Sequence, residues 1–88
     1  MREATMIDAT IAAMRGQHIA IKSFTMKESV AVFKEYCFWL TKRGVSFRAR
    51  KSVGFLDVRI ADSTGSIRFI SSNHQLDGVK PENVIHYG

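Results

Sequence analysis

Five cations within ten residues, with no acid between them, are the clearest chemical signal in the chain. They are Lys42, Arg43, Arg48, Arg50 and Lys51. Lys and Arg bind phosphate oxygens, and such contacts ignore base sequence and weaken as salt rises. Arg59 and Arg68 extend the cluster if the later strands that carry them pair side by side. These seven residues, here called the basic strip, predict binding to nucleic acid, a nucleoprotein complex or an acidic protein; a solvated surface is the alternative.

Residues suited to catalysis or metal binding are few. The three histidines and Cys37 lack the spacing of a zinc site, so we expect no metal and no cofactor. Four acids offer carboxylates for magnesium and keep a small magnesium-dependent nuclease as an alternative. They are Asp57, Asp62, Asp77 and Glu82. Because Asp62 and Asp77 lie in predicted turns, where Asp commonly serves local geometry, we predict no catalytic residue and no enzymatic activity.

A row of large apolar side chains marks one face of the predicted long helix. Val32, Tyr36 and Trp39 follow helical spacing beside the main apolar stripe and widen the apolar surface. Either the sheet covers this row as core, or another protein, such as a host protein or a second copy of the chain, binds it. Stacking on nucleic-acid bases is a third use for its aromatic rings.

The composition narrows the class of protein. Eighty-eight residues with 45% apolar content suffice for one small domain over residues 1–88 and exclude a disordered chain or a fibre. The net charge of +5 favours phosphate-bearing or acidic partners. No apolar run reaches the roughly 18 residues of a membrane span, so no membrane partner is expected. A single cysteine excludes an intramolecular disulfide and suits a reducing compartment, which we expect to be the cytoplasm.

The first predicted helix covers residues 6–15. Thr5 and Asp8 have the spacing of a capping pair at its start, and Gly16 is a typical terminating residue. Three apolar residues at spacing i, i+4 and i+7 predict its buried stripe. They are Ile7, Ile11 and Met14, and Thr10 lies off this stripe.

The second predicted helix is longer and better delimited. Thr25 and Glu28 form a capping box at its start, and Gly44 follows two basic residues at its end. The helical spacing of five apolar residues predicts its core stripe. They are Met26, Val30, Phe33, Cys37 and Leu40.

Alternating apolar and polar residues predict the strands. They cover residues 18–22, 45–50, 56–60, 66–71 and 83–87, with a turn at 62–65 and a loop at 73–80. The turn makes a β-hairpin of residues 55–71. The predicted fold is therefore α/β, with two helices packed on a mixed four- or five-stranded sheet in the order αβαββββ.

Several short segments occur in an order that a larger protein family shares. Arg2-Glu3-Ala4-Thr5 precedes a helix of small residues, and residues 15–21 join a glycine turn to a strand. Residues 65–72 are followed by Leu76-Asp77-Gly78 and by a strand at 84–88. In this order, the segments resemble the RecA-like P-loop ATPase core of phage terminase motor subunits and helicase-type proteins. The resemblance implies an α/β architecture and spans most of the chain.

The chain departs from that family at the residues that bind and hydrolyse the nucleotide. Glu3 and Ala4 stand where the last Gly and the Lys of a phosphate loop would be, which leaves Thr5 alone. His86 and Tyr87 stand where the magnesium-binding Asp and the catalytic Glu would be. What the resemblance implies is a small phage or mobile-element protein without nucleotide hydrolysis. We expect a non-catalytic accessory or inhibitory module that acts on nucleic acid or a nucleoprotein machine, in host takeover, anti-defence or DNA metabolism.

Overall fold

The computed structural model of the chain describes residues 1–52, 55–71 and 83–86. These ranges contain two helices and five strands. In chain order they are α1 (Glu3–Met14), β1 (His18–Ser23), α2 (Met26–Lys42), β2 (Phe47–Ser52), β3 (Phe55–Ile60), β4 (Ser66–Ser71) and β5 (Val84–His86). The order αβαββββ and the packing of two helices on a mixed five-stranded sheet confirm the predicted fold class. The loop predicted at 73–80 lies outside the described residues.

The sheet is mixed because its strands fall into two groups. Their order across the sheet is β2-β3-β4-β1-β5. Strand β1 runs parallel to β4 and β5, whereas β3 runs antiparallel to β2 and β4. The β3–β4 pair, with Leu56 opposite Phe69, is the hairpin predicted for residues 55–71.

Both helices contribute to one core on one face of the sheet. Every second residue of the central strands enters this core, including Ile21, Val58 and Ile67, none of which is measurably exposed. The Phe33 ring of α2 meets the Phe69 ring of β4 edge to face, with centroids 5.6 Å apart. Burial of each such side chain contributes about 1.5 to 3 kcal/mol. The remaining, alternate residues of each strand therefore point to the sheet face opposite the helices.

Helix α2 has the predicted capping box but a rotated core face. The Thr25 hydroxyl accepts from the Glu28 amide, and the Glu28 carboxylate accepts from the Thr25 amide, each at 3.2 Å. Val32 and Tyr36 are buried against the sheet. The prediction that they form part of a protein interface is therefore wrong, because both are committed to the protein's own core. Trp39 is partly exposed at the edge of that core.

Helix α1 departs further from the prediction. It begins at Glu3, and its buried residues are Met6, Ala9, Thr10 and Ala13. The predicted stripe is instead exposed: Ile7 by 37%, Ile11 by 44% and Met14 by 61%. Burial of Thr10 is tolerated because its hydroxyl donates to the Met6 carbonyl at 2.7 Å and so is hydrogen-bonded.

Neither described helix has the length and hydropathy that crossing a membrane requires.

Candidate nucleic-acid interface

The sheet face opposite the helices is rich in arginine. Strand alternation sends Leu56 and Val58 into the core and their neighbours to the other side. The cations on that other side come from four adjacent strands, and we call them the basic face. They are Arg48 and Arg50 of β2, Arg59 of β3, Arg68 of β4 and Lys22 of β1.

The strand register brings these cations close together. Arg48 lies directly opposite Arg59, and Asp57 lies between Arg50 on β2 and Arg68 on β4. Residues opposite each other on neighbouring strands have Cβ atoms about 5 Å apart. A pair of like charges at that distance destabilises a sheet, so the pairing of Arg48 with Arg59 is unfavourable for folding.

Asp57 is the one acid that the described strands carry, and it lies within the basic face. It is only 2% exposed, and its carboxylate Oδ2 lies 3.3 Å from Nε of Arg59. The Arg59 side chain itself is 56% exposed. Asp57 therefore holds the Arg59 guanidinium through Nε, while much of the Arg59 side chain remains exposed to solvent. The single negative charge of Asp57 does not neutralise the five cations of the basic face.

Exposure is uneven across this side of the sheet. Arg48, Arg50 and Arg59 are exposed, whereas Arg68 and Lys22 are partly buried. Ala20 of β1, which lies opposite Arg68 of β4, is fully buried. The accessible part of the basic face is therefore the part over β2 and β3.

Positive charge is unevenly distributed between the strands and the helices. The described strands carry six Lys or Arg residues against one acid, whereas the helices carry three Lys residues against four acids. With Arg2, Arg15 and Arg43 at the helix ends included, the helical layer has six cations against four acids, so the sheet carries the larger excess of positive charge and attracts phosphate-bearing ligands more strongly.

The structure divides the predicted basic strip. Arg48, Arg50, Arg59 and Arg68 share one sheet face, and this was expected if the strands paired side by side. Lys51 is opposite the core residue Leu56 and so belongs to the helix-facing side of edge strand β2. Neighbouring residues of a strand face opposite sides of the sheet, so Lys51 faces away from the side on which Arg50 lies.

Lys42 and Arg43 lie in the helical layer, at the end of α2. Nζ of Lys42 lies 5.1 Å from the centroid of the Phe38 ring. Arg43 pairs with the Glu3 carboxylate of α1 and lies 5.2 Å from the Trp39 ring. These side chains have intramolecular partners on the layer away from the basic face, so the prediction of one continuous strip is wrong at this point.

Trp39 takes part in the same contact between the helices. Its indole Nε1 donates to the Glu3 carboxylate at 3.0 Å, and its ring stacks on Tyr36 with centroids 6.0 Å apart. The hydrogen bond from Trp39, followed by the hydrogen bond and charge of Arg43, lowers the pKa of Glu3. The role of Trp39 shown here is to join α2 to α1.

Lys22 is the member of the basic face that the sequence analysis missed. Its alternation with Ile19 and Ile21 indicated that it points away from the core. The missing information was long-range: β1 pairs with β4, more than 40 residues later, and this pairing places Lys22 on the same sheet face as Arg68.

The residues considered for metal chemistry do not form a group in the described part of the chain. There, no cluster of three or more His, Cys, Asp or Glu side chains is arranged to hold a metal ion. Asp62 occupies the hairpin turn with a φ of 63°, a conformation that Asp tolerates. Asp77 and Glu82 lie outside the described residues. Burial raises the pKa of the Cys37 thiol, which disfavours its thiolate.

No family model, no curated protein and no solved structure matches the chain. The resemblance to the RecA-like core therefore stays a prediction.

Proposed function

We propose that this protein is a non-catalytic accessory module that binds nucleic acid through its basic face. The observation that carries the proposal is the convergence of Arg48, Arg50, Arg59 and Arg68 from three adjacent strands on one side of the sheet. Arginine is suited to this role because its planar guanidinium donates two parallel hydrogen bonds to a phosphate.

Two further features support the proposal. The like-charge pair of Arg48 and Arg59 opposes folding, and binding of a polyanion would relieve that repulsion. Four of the six acids of the described residues lie in the helices, and Asp57 is the one acid among the cations of the described strands. Such a surface favours association without reading base sequence, as expected for an accessory factor of a nucleoprotein machine.

The test is the salt dependence of binding to fluorescently labelled oligonucleotides, measured by anisotropy. We expect log K to fall linearly with log salt, with a slope of about −0.7 to −0.9 per phosphate contact. The double variant Arg48→Ala with Arg50→Ala should weaken binding to all base sequences alike and make the slope shallower by about 1 to 2.

A matched control removes the same charge from the other layer. Lys27 and Lys34 are exposed on α2, and their double replacement by Ala lowers the net charge by the same amount. If the basic face is the binding surface, this control retains nearly wild-type affinity and slope. Equal losses in the two double variants would show a diffuse charge effect and contradict the proposal.

The acidic-protein alternative is an outcome of the same experiment. Polyglutamate tests it as a competitor: tight binding of polyglutamate by a protein that binds no oligonucleotide would replace nucleic acid by an acidic protein as the partner. An affinity purification with and without nuclease then addresses the accessory role, since a nucleoprotein partner held through nucleic acid is lost on nuclease treatment.

A further inference from the structure

One aromatic ring lies among the arginines of the basic face. Phe55 opens β3, and because its neighbour Leu56 is in the core, Phe55 points to the opposite side of the sheet. It is partly exposed, and the guanidinium carbon of Arg68 lies 5.1 Å from its ring centroid. This part of the basic face thus combines an aromatic surface with a cation.

The ring restricts the kind of nucleic acid that this face suits. Phe offers no hydrogen bond to a base edge, so it contributes to base binding by stacking. In a duplex the faces of the bases are covered by neighbouring base pairs, whereas unpaired bases can stack on aromatic side chains and arginine planes. Proteins that read a duplex directly place a helix or a β-ribbon with hydrogen-bonding side chains in the groove.

We propose that the ligand of the basic face is single-stranded nucleic acid, with one base stacked on Phe55 and the adjoining phosphates bound by Arg50 and Arg59. This inference rests on the proposed function and specifies its substrate class. The guanidinium of Arg68 lies over one face of the Phe55 ring, so the proposal places the base on the ring face that Arg68 does not cover.

The helical layer offers a matched control for the ring. Phe38 is 62% exposed on α2, and Nζ of Lys42 lies 5.1 Å from its ring centroid, the same distance as in the Phe55 pair. The two pairs share an aromatic ring and a cation and differ in the surface around them. An effect of Phe55 that Phe38 does not reproduce therefore belongs to the basic face.

The experiment compares labelled single strands of about 15 nucleotides, without internal base pairing, with a duplex of the same length. We expect tighter binding of the single strands than of the duplex. Phe55→Ala should weaken single-strand binding about 5- to 150-fold and leave the salt slope unchanged, because no phosphate contact is lost. Phe38→Ala should change the affinity by less than about 2-fold. Single strands of RNA and of DNA, measured in the same way, show which of the two nucleic acids the protein binds more tightly.

Phe55→Leu keeps an apolar side chain of similar size without an aromatic face, and circular dichroism establishes that each variant is folded. If Phe55→Ala does not fold, Phe55→Leu decides, with a loss in the same range expected. Wild-type affinity in the folded Phe55 variants, or equal affinity for duplex and single strand, would overturn the stacking inference. If Arg48→Ala with Arg50→Ala still weakens binding and reduces the salt slope in that case, the proposed function stands. Absence of any oligonucleotide binding by the wild type would overturn both.

Discussion

At the scale of single residues, the contact between Tyr36 and Thr10 shows how a polar group is accommodated in this core. The two hydroxyl oxygens lie 2.5 Å apart between the helices. Because the Thr10 hydroxyl donates to the Met6 carbonyl, it accepts the proton of the Tyr36 hydroxyl. The bond therefore requires neutral Tyr36. Burial is the main cause that raises the pKa of Tyr36 to about 12.

The pH dependence of stability follows from this pKa. The folded value lies above the value of about 10 in an unfolded chain, so the contribution of neutral Tyr36 is complete below pH 10 and is lost as the pH rises towards 12. We expect a loss of about 2 to 3 kcal/mol over this range, measured by urea unfolding between pH 8 and 12. Tyr36→Phe should cost about 1 kcal/mol at pH 7 and lack this part of the alkaline loss. An equally steep loss in the Phe variant would contradict the assignment.

The sequence predicted the helical face on which Tyr36 lies, but it did not predict Thr10 as the hydrogen-bond partner of Tyr36. The spacing of Tyr36 and Trp39 placed both on one helical face, and that row is the core side of α2. Thr10 was placed off the buried stripe because the stripe was defined by the spacing of Ile7, Ile11 and Met14. Its burial depends on a hydroxyl 26 residues away, and such a contact leaves no trace in local periodicity.

At the scale of elements, α1 shows why the largest apolar residues did not identify the buried face. Ala9 and Ala13 are fully buried, whereas the larger side chains of the predicted stripe point outward. Small residues on the inner face allow a helix to approach its neighbours closely. The neighbour here is the β3–β4 turn, where Gly65 lies against the backbone at the end of α1. The close packing of α1 on this turn, not the pattern of its largest apolar residues, therefore decides which face of the helix is buried.

Gly65 provides the test of this close approach. A Cβ at this position would collide with the carbonyl oxygens of Ala13 and Gln17, which are backbone atoms and cannot move away as a flexible side chain can. We expect Gly65→Ala to lower the free energy of unfolding by about 3 kcal/mol.

Gly44→Ala is the comparison for Gly65→Ala. Gly44 has a φ of +72° but no atom within 4 Å of an added Cβ, so its replacement adds backbone strain of about 1 kcal/mol without a collision. Chemical denaturation measures both variants. A Gly65→Ala cost no larger than that of Gly44→Ala would show that α1 does not rest on this turn.

At the scale of the whole molecule, the fold was more predictable than the site. Alternation within β3 and β4 and the capping box of α2 are local signals, and they were sufficient for the element order and fold class. The basic face depends on strand neighbours instead. Arg48 and Arg59 were correctly grouped because their strands are consecutive, whereas Lys22 required the long-range pairing of β1 with β4.

The like-charge pair within the basic face predicts that this proposed binding surface lowers the stability of the fold. Arg48 faces Arg59 across β2 and β3, so Arg48→Gln removes a repulsion while keeping most of the side chain's length. We expect Arg48→Gln to raise the free energy of unfolding by about 0.2 to 1 kcal/mol at low salt, with a smaller gain at high salt because salt screens the repulsion. The same variant should weaken oligonucleotide binding, because it removes one of the cations to which the proposed function assigns phosphate contacts. Lys34→Gln, which removes one charge from α2, should produce neither change. A loss of stability in Arg48→Gln would instead mean that Arg48 stabilises the fold, and the repulsion between Arg48 and Arg59 would no longer support the proposed function.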